Sequence, residues 1–277
     1  MTLLSVKNLR VSFNTEAGLV EAVRGVSFSL GRERLGIVGE SGSGKTMTGR
    51  SVLRLIRPPG RIEADEMRFD GVDLLAASER DMRALRGPRM AMVMQDPKYS
   101  LNPVMRVGAQ LTEGLRQRDR RCRADAVAKA LAALEAVQIR DPVRVMEAYP
   151  HELSGGMGQR VMIAMMLIPN PDLLIADEPT SALDVTVQAE VLSILDGLVR
   201  DRGMGLIFIS HDLRLVARFC DRVLVMFKGR VVEELAARDL MQARHPYTKA
   251  LLNCLPRIGG NRGPLPGLDR SAEWATG

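Results

Sequence analysis

At 277 residues, 46% hydrophobic and 26% charged, the chain can bury a sizeable core as one large domain or two unequal lobes. An aromatic share of 4% argues against a base-stacking nucleic-acid platform, so the formal net charge of +6 reads either as a solvated basic surface or as attraction to a nucleotide or an anionic membrane face. Three widely spaced cysteines, Cys122, Cys220 and Cys254, form no CxxC pair; they indicate neither a disulfide framework nor a zinc site and fit a reducing compartment.

The opening residues Met1 to Lys7 lack the basic, apolar and small-residue order of a secretory signal. The longest apolar run, Val161 to Ile168, is too short to cross a bilayer, so work at a membrane would need another chain to span it. Leu3 to Phe13 and Val26 to Leu30 mix β-branched and apolar residues at near-alternating spacing, which predicts half-buried strands with a turn at Gly18. Leu35 to Val38 reads as a short apolar strand, and Lys45 to Ile56 as a helix ended by Pro58-Pro59-Gly60.

Between that strand and helix stand Gly39, Glu40, Ser41, Gly42, Ser43, Gly44, Lys45 and Thr46, a match to G-x-x-x-x-G-K-[ST]. In such a loop successive backbone N–H groups point into one concavity, glycines let the chain wrap closely, and the following helix turns its positive end toward the anion. Lys45 would reach the β- and γ-phosphates of ATP and Thr46 would ligate Mg²⁺, with Met47 next in the nucleotide-contacting run.

Ala91 to Met94 predicts a buried strand that ends at Gln95-Asp96-Pro97. From Val104 to about Val137 the pattern is helical, with Val127, Leu131 and Leu134 on one face. Leu173 to Ala176, Leu206 to Ile209 and Val223 to Phe227 return as short apolar strands separated by helical stretches, the alternation of a mostly parallel α/β sheet. The expected division is an ATP-binding core over 1–97 and 159–235, a helical insertion over 98–158, and a C-terminal segment over 236–277. That last segment reads as a helix and then an irregular tail rich in Gly and Pro.

Four apolar residues ending in Asp177-Glu178 place two carboxylates at the C-terminal edge of the sheet, where ligands bind in α/β folds. Asp177 would hold Mg²⁺ through water, and Glu178 would polarise the attacking water. Leu153-Ser154-Gly155-Gly156, followed by Gln159-Arg160, offers a hydroxyl, exposed N–H groups and a helix N-terminus. Ser154 reads either as a plain helix N-cap or as part of a second phosphate contact, which makes sense if it serves an ATP held by a partner.

This element resembles the signature of ATP-binding cassette (ABC) ATPases, and the rest of that family's pattern follows in order over about residues 3 to 235. Gln95 matches the Q-loop, a further Mg²⁺ ligand; Ser181-Ala182-Leu183-Asp184 matches the D-loop, with Asp184 at the nucleotide; and His211 matches the switch histidine. Phe13 sits where the family stacks an aromatic on adenine, and otherwise reads as a core residue. The resemblance implies an α/β fold: a P-loop NTPase core of the ABC ATPase type with an N-terminal antiparallel β subdomain and an inserted α-helical subdomain. It further implies ATP and Mg²⁺ as ligands, a catalytic set of Glu178, His211 and Gln95, and nucleotide contacts from Ser154, Gly155 and Gly156. The partners implied are a second ABC ATPase subunit, two transmembrane permease subunits and an extracytoplasmic substrate-binding protein, at the cytoplasmic face of the inner membrane and with no nucleic acid.

Three stretches look like the importers of oligopeptides, dipeptides and nickel: Leu35 to Lys45, Gln95-Asp96-Pro97 with Ser100 to Pro103, and His245-Pro246-Tyr247-Thr248-Lys249-Ala250-Leu251-Leu252. The last lies beyond the nucleotide machinery, so ATP chemistry alone does not explain it. Peptide uptake is the favoured reading, nickel import the alternative, and a soluble ABC ATPase a third. Two departures from the subfamily stand out. The chain lacks the four cysteines of its C-terminal iron-sulfur cluster, so no cluster is expected. Gly158 stands where the subfamily more often has Arg, which would remove a positive side chain near the partner's ATP and reduce activity without abolishing it.

Overall fold

The computed structural model describes residues 2–16, 18–94, 100–118, 123–181 and 183–255. In chain order its elements are β1 (Leu4–Thr15), β2 (Gly18–Leu30), β3 (Arg34–Val38), α1 (Lys45–Val52), β4 (Gly60–Glu63), β5 (Glu66–Phe69), β6 (Val72–Asp73), α2 (Glu79–Leu85) and β7 (Met90–Val93). There follow α3 (Val107–Arg118), α4 (Arg123–Ala136), α5 (Pro142–Glu147), α6 (Gly155–Leu167), β8 (Leu173–Asp177) and α7 (Val185–Arg202). The chain ends with β9 (Gly205–Ile209), α8 (Leu213–Phe219), β10 (Arg222–Phe227), β11 (Arg230–Ala236) and α9 (Pro246–Asn253). Two compact units emerge, Met1–Ala77 with Ile207–Gly277, and Ser78–Leu206.

The first unit holds two sheets. Leu4 and Val6, and then Leu9 and Val11, are buried on β1, each pair at a spacing of two. β2 runs antiparallel to β1 from Leu4 opposite Leu30 to Thr15 opposite Gly18, so this strand is longer than the expected Val26 to Leu30. Register shifts in β1 near Leu9 and Val11 break the period of two, and Leu19 and Val20 at the start of β2 stay exposed, which hid that strand from a pattern reading. β4 pairs with the far half of β1 and β5 with its near half, with β6 at the edge. These short strands carry too few residues to show a period.

The second sheet of this unit runs in the order β11-β10-β3-β9, with β3 and β10 parallel. A two-residue loop, Lys228-Gly229, joins β10 to β11; both residues have positive φ (44° and 83°), as a type I′ hairpin turn requires. α1 stops at Val52 rather than Ile56, because Arg54 turns to φ 51° and its guanidinium donates to the carbonyls of Leu74 (3.2 Å) and Ala77 (2.6 Å). A side-chain bond to residues distant in the chain thus ends the helix before the prolines do.

In the second unit β7 and β8 pair in parallel, Met90 with Leu173 through Val93 with Ala176, and every residue of both strands is buried. Met94, expected in the strand, lies beyond it and is exposed. The expected helical stretch from Val104 to Val137 contains α3 and α4, which pack with α5 and α6. α4 turns Ala126, Ala130 and Leu134 inward, leaving Val127 and Leu131 half-buried, so the buried face is rotated from the one expected. Small alanines admit close helix packing, which a count of large apolar residues overlooks. No helix among the described residues is long and apolar enough to cross a membrane.

Candidate functional site

The glycine loop between β3 and α1 is clasped on both sides by backbone. A Cβ on Gly39 (φ 149°) would lie 2.2 Å from the Met226 carbonyl oxygen, and one on Gly44 (φ 101°) would lie 2.6 Å from that of Ala22. Gly229 of the hairpin turn donates its N–H to the Ser43 carbonyl (3.0 Å) and accepts from the Arg24 N–H (2.7 Å). The loop therefore sits in a groove between β2 and the β10–β11 turn, which admits only glycine at its two tightest points.

Gly44 is the N-cap of α1 and brings no side chain, so no side-chain bond caps the first turn. The N–H groups of such a helix end suit an anion. Lys45 is buried, and its ammonium donates to the carbonyls of Gly39 and Glu40, both at 2.8 Å. A buried cation must be compensated, and here carbonyl dipoles do so at the floor of the loop. Ser43 is buried, Ser41 and Gly42 are exposed, and Glu40, Thr46 and Met47 are half-buried. Glu40, Ser41, Gly42, Ser43, Phe227 and Lys228 line a cleft of about 250 Å³ beside the loop. A buried lysine beside a helix N-terminus suits a polyphosphate.

Phe13 is half-buried on β1, opposite Val20 and Gly60, and its ring lies against Gly60. His211 is exposed just after β9. Its neighbours are rigidly held: the Ser210 N–H donates to Ile37 O (3.1 Å), and Asp212 caps α8 by accepting from the N–H groups of Arg214 (2.9 Å) and Leu215 (3.1 Å).

The second unit carries the acidic pair and the signature helix. Asp177 ends β8 with only 5% of its surface exposed, and Glu178 follows half-buried at φ 48°. That conformation is uncommon for a residue with a Cβ, and it turns the backbone sharply at the strand end. The Glu178 carbonyl accepts from the Ser181 N–H (3.3 Å) and hydroxyl (3.2 Å), closing the turn.

Ser154 is the N-cap of α6, its hydroxyl oxygen accepting from the Met157 N–H (3.3 Å). Ser154 and Gly155 are exposed at the helix tip, whereas Gly156 is half-buried. A hydroxyl can accept one bond and donate another, so capping leaves Ser154 chemically able to donate to an anion. Gly158 is buried in the first turn of α6, its N–H donating to the Ser154 carbonyl (2.9 Å). Asp184 is the N-cap of α7, its carboxylate accepting from the N–H groups of Thr186 and Val187, both at 3.0 Å. Gln95 and Ala182 lie outside the described residues.

Two structural partners of these motifs were not read from the sequence. Arg160 pairs with Glu190 of α7 and donates to Gln138 O (3.0 Å), tying the signature helix to its neighbours. Tyr247, fully buried on α9, receives the Glu40 N–H on its phenolic oxygen at 3.2 Å. The Pro246-Tyr247 pair after His245 carries a local signal for a helix start, and His245 Nδ1 indeed caps α9 by accepting the Tyr247 N–H (3.2 Å).

The ABC transporter family model matches residues 23–181 of this chain. Over 95% of the chain and 80% of the relative, it is 48% identical to the probable peptide ABC transporter ATP-binding protein y4tR of Sinorhizobium fredii. It is 47% identical to the oligopeptide transport ATP-binding protein OppD of Bacillus subtilis, over 92% of the chain and 72% of the relative. It is also similar to the dimeric structure of MJ0796, a bacterial ABC transporter cassette, with a TM-score of 0.75 and 26% identity over 85% of this chain and 99% of that one. The same cassette has been solved in a post-hydrolysis state bound to ADP and Pi, again with a TM-score of 0.75, at 25% identity over the same shares of both chains. With its glycine loop, signature helix and acidic strand end in this order, the chain belongs to the ABC transporter family and has the fold of its ATP-binding cassettes.

Proposed function

We propose that this chain is the ATP-hydrolysing subunit of an importer that takes up peptides across the bacterial inner membrane. The observation that carries the reading is the buried Lys45 ammonium at the floor of a loop whose helix end no side chain caps. ATP is held by the N–H groups of the Gly39 to Thr46 loop other than those of Glu40 and Ser43, which Tyr247 and the Glu40 carbonyl accept, and by Lys45, which contacts the β- and γ-phosphates. Phe13 offers its ring to adenine. The Thr46 hydroxyl and the Asp177 carboxylate are hard oxygen donors of the kind Mg²⁺ takes, with Gln95 as a third. When bound, the metal neutralises charge on the phosphate oxygens.

Glu178 orients and polarises the attacking water, and His211 bonds the γ-phosphate. Ser154, Gly155 and Gly156 serve an ATP held by a second cassette, with Asp184 near the same nucleotide. Two cassettes thus close on two ATP molecules. Closure stores differential binding energy, and loss of the γ-phosphate removes contacts made mainly in the closed state, which resets the pair. The helical segment over 98–158 transmits closure to two transmembrane permease subunits at the cytoplasmic face of the membrane, with an extracytoplasmic binding protein delivering cargo.

The names of the relatives favour peptides as cargo. Besides the two above, GsiA of Shigella dysenteriae, named for glutathione import, is 44% identical over 98% of this chain and 46% of its own length; glutathione is itself a tripeptide. The test is Glu178→Gln in the purified complex. ATPase turnover should fall roughly 10²- to 10⁴-fold while ATP still binds and holds a closed dimer. Undiminished turnover in that variant would remove the catalytic assignment.

A further inference from the structure

The segment His245 to Leu252 lies outside the nucleotide motifs, yet its tyrosine reaches one of them. Tyr247 is fully buried, its ring packs on Phe227 with centroids 4.4 Å apart, and its phenolic oxygen accepts the N–H of Glu40 at 3.2 Å. Phe227 in turn lines the cleft beside the glycine loop. The carbonyl of the same peptide link, that of Gly39, accepts from the Lys45 ammonium at 2.8 Å. In a trans peptide the N–H and C=O point in opposite directions, so Tyr247 and Lys45 hold one peptide plane from its two sides.

We infer that Tyr247 is a positioning residue of the nucleotide site: it fixes the orientation of the Gly39–Glu40 peptide and, through the Gly39 carbonyl, the resting place of the Lys45 ammonium. The inference deepens the ATP-site reading above and rests on it.

The surroundings suit such a strut. Burial raises the Tyr247 phenol to about 12, so it stays a neutral hydroxyl at any working pH. Its helix is anchored independently of the loop. The Glu233 carboxylate accepts from the N–H groups of Arg244 (2.7 Å) and His245 (3.2 Å); burial opposes its ionisation, but these bonds and the nearby Thr248 hydroxyl outweigh that and hold it below the usual carboxylate range. The Met226 carbonyl leaves no room for a Cβ at Gly39, so the position is held by the residue with the freest backbone and its peptide needs an outside hold. Without the phenolic bond, only a fraction of molecules would hold the binding-competent loop, and apparent affinity would fall by that fraction.

The experiment compares Tyr247→Phe, which removes only the hydroxyl, with Val6→Ala, a buried truncation on β1 that destabilises without touching the loop. KM for ATP, kcat, the Kd of ADP by calorimetry and Tm are measured on the full chain in its complex. Tyr247→Phe should raise KM and the ADP Kd about three- to tenfold, the worth of one neutral hydrogen bond, with kcat within about twofold. Val6→Ala should lower Tm and leave both constants unchanged. Unchanged constants in Tyr247→Phe, or an equal shift in Val6→Ala, would overturn the inference. Lys45→Ala, run in parallel, separates the two levels. If it abolishes nucleotide binding while Tyr247→Phe does nothing, only the Tyr247 role fails; if it binds ATP as the parent does, the ATP-site reading fails and takes the Tyr247 role with it.

Discussion

Gly156, in the first turn of α6, lies so close to Val187 of α7 that a methyl group on it would fall 2.7 Å from Val187 Cγ1, whereas one on Gly155 would meet nothing within 4 Å. Val187 is β-branched and stiff, so it can yield only by straining its rotamer. Gly156→Ala should cost about 1–3 kcal/mol, and Gly155→Ala less than about 0.5 kcal/mol. Chemical denaturation of the two variants checks the difference. Both should lower ATPase activity if the pair contacts a partner's nucleotide, and the dissociation of activity from stability in Gly155→Ala is the informative outcome.

Gly39→Ala and Gly42→Ala form a second contrast. At Gly39 the added atom meets backbone, the Met226 carbonyl at 2.2 Å, and no side chain can move to relieve it. At Gly42 (φ 82°) there is open space, and only the left-handed backbone is strained, by about 1–2 kcal/mol. Gly39→Ala should therefore weaken binding of a fluorescent ATP analogue more than about tenfold and lower Tm by several degrees. Gly42→Ala should fold with a smaller loss.

Arg34 holds Asp221 through two guanidinium bonds (3.1 and 2.7 Å) and one backbone N–H bond (2.8 Å). Burial works against ionisation of Asp221, but these bonds outweigh it and keep the carboxyl below its ordinary value of 3.8. A lowered folded pKa contributes stability that is complete above the unfolded value and is lost as pH falls through the folded one. Asp221→Asn should cost about 1 kcal/mol at pH 7, discounted because 43% of the Asp221 side chain is exposed. In thermal melts from pH 7 to acid, the gap between variant and parent should narrow below about pH 4.

Tyr247 supplies the opposite sign. Its folded pKa lies near 12, above the ordinary 10.0, so the folded chain keeps a proton that the unfolded chain has lost between those values. Stability from this group is complete below about pH 10 and falls as pH rises toward 12. Phenylalanine does not ionise. The Tm deficit of Tyr247→Phe should therefore shrink between pH 10 and 12, and a constant deficit across that range would argue against the buried phenol.

The build of the loop was legible in Gly39 to Thr46, because glycine stands where backbone closes in and the lysine beside it is buried against the loop's own carbonyls. The same holds for Ser154, whose helix-capping alternative proves to be what its hydroxyl does in the structure. Less legible were features set by neighbours distant in sequence. The face of α4 follows close packing of alanines, the end of α1 follows Arg54 reaching Leu74 and Ala77, and the length of β2 follows its pairing with a bulged β1.

The order of motifs from Gly39 to His211 was enough by itself to determine the family and the reaction expected of it, because phosphate binding relies on short runs whose residue types and spacing are fixed by the anion. What only the tertiary structure decided is where the remaining groups lie. It brings Arg54 to the carbonyls of Leu74 and Ala77, and Tyr247 to the N–H of Glu40. The physical reason is that a hydrogen bond between residues so far apart in the chain leaves no periodic trace; the one to Tyr247 exists only once β10 and α9 have packed around the loop.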